Sequence, residues 1–133
     1  MREALTQAGL SANDIHYLNA HGTATAEGDP TEVSALRSLF GDHAAKVMVS
    51  ATKSLHGHLL GAAGAIEALV TTLALQHQAI PPTGGLTQVD PACAGLDHVK
   101  QFARAGVDVA YAVSNSFAFG GSNAVLVLRR VPR

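Results

Sequence analysis

The hydrophobic and polar positions along the chain form two kinds of pattern. Four short apolar runs are typical of β-strands, and they lie at 15–20, 47–51, 109–117 and 123–130. Three stretches with helical spacing predict α-helices, at 2–8, 29–40 and 58–77. Strands that alternate with helices predict an α/β fold with a mixed sheet, packed helices and one buried central helix.

The predicted helix at 29–40 carries its end signals in order. Asp29 is the expected N-cap, Pro30 suits the first helical position and Glu32 closes a capping box. Gly41 ends the helix, whose apolar stripe consists of Val33, Leu36 and Phe40. We therefore interpret Asp29 and Glu32 as structural residues rather than as an acid and a base.

The helix predicted at 58–77 belongs to a long apolar stretch, 59–80, that has enough residues to span a membrane. Glu67 lies inside this stretch together with Gly61 and Gly64. A glycine inside a helix costs about 1 kcal/mol relative to alanine, and a carboxylate inside a bilayer is also costly. This composition predicts a helix buried in protein, not a membrane span, with glycines that allow tight packing.

Composition and charge narrow the classes of function. Hydrophobic residues make up 47% of the 133 residues and charged residues only 14%, so we interpret 1–133 as one domain of a larger protein. The net charge is −1 without a basic stripe, and nucleic-acid binding is not predicted. The charged N-terminus and the single cysteine, Cys93, predict a reducing, cytoplasmic location.

Three loops follow predicted strands and carry reactive or conformationally special residues. Their sequences are NAHGTAT (19–25), ATKSLHGH (51–58) and NSFAFGGSN (115–123). In open α/β sheets, loops at the ends of strands converge on the ligand crevice. We therefore predict that these three loops form one site.

His58 is expected at the start of the long helix. Unpaired amides there disfavour an imidazolium, which would leave a neutral ring able to donate an N–H to an oxyanion. Lys53, five residues upstream, would disfavour the charged ring further if it lies close. The alternative is a structural role, with His58 as a helix cap and Lys53 in solvent.

The other two loops also offer donors. His21 precedes Gly22, which permits a sharp turn, and the hydroxyls of Thr23 and Thr25 could follow an extended polar ligand. Gly120 permits positive φ, so a backbone N–H could face a ligand as in an oxyanion hole. The alternatives are an ordinary turn and an ordinary strand connection.

A pair of histidines and the single cysteine are not expected to form reactive sites. His56 and His58 lack a carboxylate or cysteine at ligand spacing nearby, so no metal site is predicted. Cys93 lies in a loop rich in Pro and Gly, without a histidine close in sequence, and is not expected to be a nucleophile.

Together and in this order, the loops resemble the C-terminal half of the β-ketoacyl-acyl carrier protein synthases, the elongating condensing enzymes of the thiolase superfamily. The blocks that carry the resemblance span essentially the whole chain, and they are NAHGTAT, GDPTE, ATKS, GHLLGAAGAIE, IPPT and NSFAFGGSN. The resemblance implies one half of a thiolase-like fold. It also implies an acyltransferase that condenses an acyl thioester with malonyl-acyl carrier protein, with loss of CO₂, in fatty acid or polyketide biosynthesis.

The resemblance further implies what the chain needs to be active. The nucleophilic cysteine of the family lies in the N-terminal half, so the 133 residues alone are predicted to be inactive. No cofactor is expected, because the substrates are carried on the 4′-phosphopantetheine of acyl carrier protein. The implied partners are acyl carrier protein, the N-terminal half and a second subunit in a homodimer or heterodimer.

Site roles follow from the same resemblance. His21 and His58 would be the active-site histidines that donate to the malonyl thioester carbonyl. Lys53 would control the electrostatics around His58, and Glu67 would support that network. Thr23 and Thr25 would bind the pantetheine arm, while Phe119 would gate the site and, with Gly120, complete the oxyanion hole.

Departures from the family leave alternatives open. Ala118 stands where the family usually has glycine, which should stiffen the gate, and Leu55 with His56 replaces a more common pair. A non-catalytic partner that resembles a chain-length factor is one alternative, although such a partner need not keep both histidines and Lys53. A thiolase or an initiating synthase is another, although NSFAFGGSN lacks the second cysteine of thiolases.

Alone, the chain is expected to expose apolar surface and self-associate.

Overall fold

The computed structural model describes residues 1–131. Its helices are α1 (Arg2–Ala8), α2 (Gly28–Phe40), α3 (Lys53–His56) and α4 (Ala63–His77). Its strands are β1 (Tyr17–Asn19), β2 (Met48–Ser50), β3 (Ala79–Ile80), β4 (Asp97–His98), β5 (Arg104–Ala105), β6 (Tyr111–Ala118) and β7 (Ser122–Arg129). Within residues 1–131, no helix is both long and apolar enough to cross a membrane.

Five strands form a sheet of the predicted mixed type, and one of them, β4, was not among the four predicted strands. Their order is β4-β2-β1-β6-β7, with parallel pairing from β4 to β6 and an antiparallel hairpin of β6 and β7. β3 and β5 form a separate antiparallel pair. The central strand β1 therefore has a parallel neighbour on each side, which requires cover on both faces of the sheet.

The two faces of the sheet are packed by different helices. Leu18 of β1 joins Leu36 and Phe40 of α2 in one buried cluster. Tyr17, the preceding residue, joins Ala74 and Leu75 of α4 in a second cluster. Because successive side chains of a strand point to opposite faces, this alternation places α2 and α4 on opposite sides of the sheet.

Helix α4 is the predicted central helix, and in this chain it is buried along one face only. Glu67 and Thr71 are fully buried on that face. Leu69 and Leu73 on the other face are 52% and 41% exposed, and Leu126 of the neighbouring β7 is 48% exposed. The chain therefore leaves apolar surface uncovered, as its high hydrophobic content led us to expect.

The helix predicted from residue 58 begins later than expected, at Ala63. Lys53–His56 forms its own short helix, which ends at Gly57 with φ of 78°. Leu60 also has a positive φ, 49°, so the backbone around His58 departs from a helix. His58 thus lies in a linker between two helices, and the prediction that it begins a long helix was wrong.

The two other glycines of this stretch do not pack as predicted. A Cβ atom added to Gly61 would meet nothing within 4 Å. One added to Gly64 would lie 3.5 Å from Ser116 Oγ, an ordinary contact distance. Close helix packing therefore requires neither glycine within the described part of the chain.

Candidate active site

The sheet brings the three predicted loops to one edge. Asn19, the last residue of β1, is in register with Ser50 of β2 and with Ser114 of β6. β6 continues beyond this register to Ala118, so its last four residues extend past the ends of the parallel strands. The loops that follow β1 and β2 therefore face the extended end of β6, which includes Phe117.

His21 lies at the centre of this edge. Its Nδ1 is 3.4 Å from Lys53 Nζ. An ammonium group can only donate, so Nδ1 accepts and the ring proton resides on Nε2. Its ring also contacts Phe117, with a centroid distance of 5.5 Å. Burial, and then the charge of Lys53, lower the pKa of His21, which favours the neutral ring.

Lys53 pairs with Glu67 in the interior. Its Nζ donates to Glu67 Oε1, and the two side chains are only 4% and 0% exposed. Glu67 therefore compensates a charge that would otherwise be buried alone. Lys53 also donates to His21, and its charge lowers the pKa of His21. No hydrogen bond within residues 1–131 joins Lys53 to His58, and its predicted action around His58 stays a prediction.

His58 approaches His21 from the linker before α4. The two ring centroids are 5.7 Å apart and the rings are perpendicular. His58 Nδ1 accepts the N–H of Leu60 at 3.2 Å, so the proton of a neutral ring resides on Nε2. Both histidines thus have Nδ1 occupied, and neither Nε2 has a hydrogen-bond partner among residues 1–131.

Glu32 holds the turn that carries His21. Its two carboxylate oxygens accept the N–H groups of His21 and Gly22, each at 3.0 Å. Oε1 also accepts from Asn115 Nδ2 at 2.9 Å. The predicted capping box is absent, since Glu27 is the N-cap of α2 and makes no side-chain cap. Glu32 and Asn115 are thus site residues that sequence reasoning missed.

A signal for Glu32 was present in the sequence. Glu32 lies beside Val33 and one turn before Leu36, on the apolar side of α2, and all three are buried. An acidic side chain on the buried side of a helix needs hydrogen-bond partners in the fold. No comparable sequence signal marks Asn115, which is buried within β6, one residue beyond the register position of Asn19.

Gly22 allows the loop after β1 to pass close to the loop after β2. Its φ is 39°, and an added Cβ would lie 2.5 Å from the Cβ of Ala51. Both observations exclude a larger residue without rearrangement. This close approach helps to bring His21 next to Lys53.

Thr23 and Thr25 follow at the start of the loop that leads into α2. Thr25 Oγ1 accepts the N–H of Gly28 at 3.1 Å. Ala24, between them, has φ of 60°, a conformation that costs an L-residue about 1 to 2 kcal/mol. Asp29, the expected N-cap, instead accepts the N–H of Ala24 at 3.1 Å.

Phe119 and Gly120 lie in the tight connection of the β6–β7 hairpin. Gly120 and Gly121 have φ of 78° and 80°, as their predicted role in a turn requires. The side chain of Phe119 is fully exposed, so in this chain Phe117 and not Phe119 packs against a site histidine. Ala118 has extended backbone angles that alanine adopts without strain.

No group of three or more His, Cys, Asp or Glu side chains is placed to hold a metal ion within the described residues. Cys93 is partly exposed, and burial together with Asp29 and Asp90 raises the pKa of its thiol. A raised pKa disfavours the reactive thiolate, in agreement with its interpretation as an ordinary cysteine.

Comparison with known proteins assigns the family. Residues 1–87 match the family model described as beta-ketoacyl synthase, C-terminal domain. The chain belongs to this family.

Relatives of the β-ketoacyl synthase domain match nearly all of its length. It is 47% identical over 131 residues to 3-oxoacyl-[acyl-carrier-protein] synthase 2 of Coxiella burnetii, which covers 98% of this chain and 31% of the relative. A solved beta-ketoacyl synthase from Burkholderia phymatum superposes with a TM-score of 0.93 at 48% identity, over 99% of this chain and 31% of that one. The chain thus spans about a third of the length of these relatives.

A third match is a ketosynthase of a type II polyketide system, solved in complex with its acyl carrier protein. It has a TM-score of 0.93 and 32% identity, and the match covers 98% of this chain and 32% of that one. These similarities confirm the predicted family and a ketosynthase fold of the thiolase-like type.

Proposed function

We propose that this chain is the C-terminal part of a β-ketoacyl-acyl carrier protein synthase. The observation that carries the proposal is the pair of perpendicular imidazoles, His21 and His58, each with Nδ1 occupied and Nε2–H available. Two such donors suit one thioester oxygen on which negative charge develops. Burial and the charge of Lys53 keep His21 neutral, while Glu67 holds Lys53 in place, and neither Lys53 nor Glu67 donates to the substrate.

The proposed reaction begins with the malonyl thioester. The bond to its carboxylate breaks, CO₂ leaves, and the electron pair moves into the thioester group as an enolate. The two Nε2–H groups stabilise the enolate oxygen. The enolate carbon then attacks the acyl group carried by a cysteine of the N-terminal part, forming the new C–C bond and expelling the thiolate.

The proposed partners and extent of the domain follow from the same reasoning. Acyl carrier protein is the proposed donor of both substrates, and Thr23 and Thr25 are the proposed contacts of its pantetheine arm. Phe119 with Gly120 is the proposed gate and oxyanion hole for the acyl thioester. We assign residues 1–133 to one domain because β6 and β7 share a sheet with β1. The proposed location of the protein is the cytoplasm.

The N-terminal part of the synthase is the proposed cover for the outer face of α4 and for β7. These surfaces carry Leu69, Leu73 and Leu126, all exposed in this chain. A second subunit, in a homodimer or heterodimer, completes the proposed assembly. Light scattering of the 133-residue chain alone should show self-association, and a clean monomer would argue against this part of the proposal.

The test places these 133 residues into the Coxiella burnetii synthase in exchange for the matching segment. We refer to this protein as the hybrid synthase. It should release CO₂ from malonyl-acyl carrier protein and make the 3-oxoacyl product. His21→Ala and His58→Ala should each lower kcat by about 10²- to 10³-fold, the effect of losing one oxyanion donor.

His77→Ala is the matched control, because His77 is exposed at the far end of α4. It should leave the rate unchanged. A folded hybrid synthase without decarboxylation would contradict the proposal and favour the non-catalytic partner. Unchanged rates in both active-site variants would refute the roles of the histidines.

A further inference from the structure

The hydroxyl groups of Thr23 and Thr25 border the same space beside Gly28. A Cβ atom added to Gly28 would lie 2.3 Å from Thr25 Oγ1 and 3.8 Å from Thr23 Oγ1. Thr25 Oγ1 accepts the N–H of Gly28, which leaves its own proton for an outside acceptor. Thr23 Oγ1 has no hydrogen-bond partner within residues 1–131. The two hydroxyls are thus available together on one side of the loop.

The residue between the two threonines determines how they are presented. Ala24 has φ of 60°, in the left-handed region that residues other than glycine, asparagine, aspartate and histidine seldom adopt. An extended Ala24 would direct the loop elsewhere and separate the hydroxyls from Gly28. Alanine does not favour this conformation by itself, so a contact from outside the loop has to maintain it.

Asp29 supplies that contact. Its Oδ1 accepts the N–H of Ala24 at 3.1 Å. Asp29 lies in the first turn of the 13-residue helix α2, where the free amides of the helix stabilise a carboxylate. A carboxylate that belongs to the helix therefore holds the loop at the peptide that joins Thr23 to Ala24.

We propose that Asp29 is a positioning residue for recognition of the pantetheine arm. By holding Ala24 in the left-handed conformation, it presents the hydroxyls of Thr23 and Thr25 to the amide groups of the arm. Asp29 does not touch the reacting atoms. The proposal rests on the proposed function, since it presumes a substrate carried on a pantetheine arm.

The test measures decarboxylation of malonyl-acyl carrier protein by the hybrid synthase. Asp29→Ala should raise KM about tenfold, equivalent to weakening two hydroxyl hydrogen bonds, and leave kcat within about twofold. Asp29→Asn should behave like the parent because its amide oxygen can still accept the N–H of Ala24. If Asp29→Asn is as impaired as Asp29→Ala, charge and not the hydrogen bond matters, and the proposal is overturned.

Rescue by glycine separates this role from general support of the fold. Glycine adopts positive φ without help, so Ala24→Gly alone should resemble the parent. The double variant Asp29→Ala with Ala24→Gly should recover most of the lost affinity. A double variant as impaired as Asp29→Ala would overturn the proposal.

A substrate without the arm gives a second readout. With the malonyl thioester of ethanethiol, which lacks the pantetheine amides, Asp29→Ala and the parent should have the same KM. Equal impairment with both substrates would place the effect at the reacting centre and overturn the proposal. A hybrid synthase inactive before any substitution would instead contradict the proposed function.

A further variant keeps Asp29 and guards against misfolding of Asp29→Ala. Ala24→Val puts a β-branched residue where φ must be positive, which valine strongly disfavours. It should raise KM for malonyl-acyl carrier protein about as much as Asp29→Ala does. An unchanged KM in Ala24→Val would overturn the proposal even if Asp29→Ala does not fold.

Discussion

His21 and His58 face each other across 5.7 Å, yet the segments that carry them are built differently. His21 is partly buried, its turn is held by both oxygens of Glu32, and its ring contacts Lys53 and Phe117. His58 is exposed and its ring is held by one backbone N–H, from Leu60. The chain itself therefore fixes one half of the donor pair and leaves the other half lightly supported.

The two segments therefore differ in how much they contribute to the stability of the fold. The buried ion pair and the Glu32 carboxylate anchor His21 to the core. Displacement of His21 would leave charged groups exposed or without their partners. The His58 segment contains Gly57 and Leu60, both at positive φ, and exposed leucines. Substitutions should therefore affect folding strongly on the His21 side and weakly on the His58 side.

The largest expected effect comes from breaking the ion pair under His21. Glu67→Leu leaves the ammonium of Lys53 buried without its partner, and it should lower the free energy of unfolding by about 3 to 5 kcal/mol. Lys53→Met together with Glu67→Leu should recover most of that loss, because an apolar pair of similar volume needs no compensation. Urea unfolding measures both values.

Gln76→Ala is the control at an exposed polar position of the same helix, and we expect a change within about 0.5 kcal/mol. A double variant no more stable than Glu67→Leu would show that the pair is not the source of the effect.

Removal of the Glu32 carboxylate should come next. Glu32→Ala leaves the N–H groups of His21 and Gly22 without an acceptor and leaves Asn115 Nδ2 with only the weak acceptor Met1 Sδ. Each buried unsatisfied group costs about 1 to 3 kcal/mol, and partial access of water to the turn should hold the sum to about 2 to 4 kcal/mol. Glu32→Gln keeps one acceptor oxygen and should lose less, as judged by chemical denaturation of both variants. Equal losses would argue against the turn-holding role.

Two glycines allow a direct comparison of the two segments. Both Gly22 and Gly57 have positive φ, but only Gly22 has a neighbour within 3 Å of an added Cβ. Gly22→Ala should therefore cost about 2 to 3 kcal/mol through a clash in addition to backbone strain. Gly57→Ala meets no clash and should cost only the backbone term, about 1 to 3 kcal/mol, because φ of 78° with ψ of 176° is a conformation essentially restricted to glycine. Thermal unfolding of the two variants measures both losses of stability. A larger loss in Gly57→Ala than in Gly22→Ala would contradict the comparison.

The smallest effect should be the pH dependence that belongs to His21. Burial and Lys53 lower the pKa of His21 in the folded chain, whereas in the unfolded chain a histidine takes up its proton near pH 6.5, about the value of the free side chain. The unfolded state therefore binds more protons, and stability should fall as the pH drops below about 6.5, levelling off below the lowered pKa. His21→Gln should flatten this part of the curve of unfolding free energy against pH. An identical curve in the variant would contradict the assignment.

The sequence predicted most of the fold because its local patterns are strong. Apolar runs identified β1, β2, β6 and β7 to within about two residues, and helical stripes identified α1 and α2. The beginning of α4 was mispredicted because Leu60 has a positive φ, and leucine rarely adopts this conformation, so nothing in the sequence pattern predicts it. The role of Glu32 was mispredicted because Asp29 and Glu32 have the spacing of a capping box, whereas the helix begins earlier, at Gly28.

For the site, the sequence by itself determined which side chains were available: two histidines, a lysine and two threonines on segments that follow strands, and a glutamate in the long apolar helix. Only the tertiary structure decided their partners, because hydrogen bonds between residues far apart in the chain depend on strand order and register. That is why Lys53 bonds to His21, which is 32 residues away in the chain, and why Asn115 and Phe117 enter the site from the extended end of β6. Residue types are local information, whereas the contacts that neutralise a buried charge exist only after the sheet has formed.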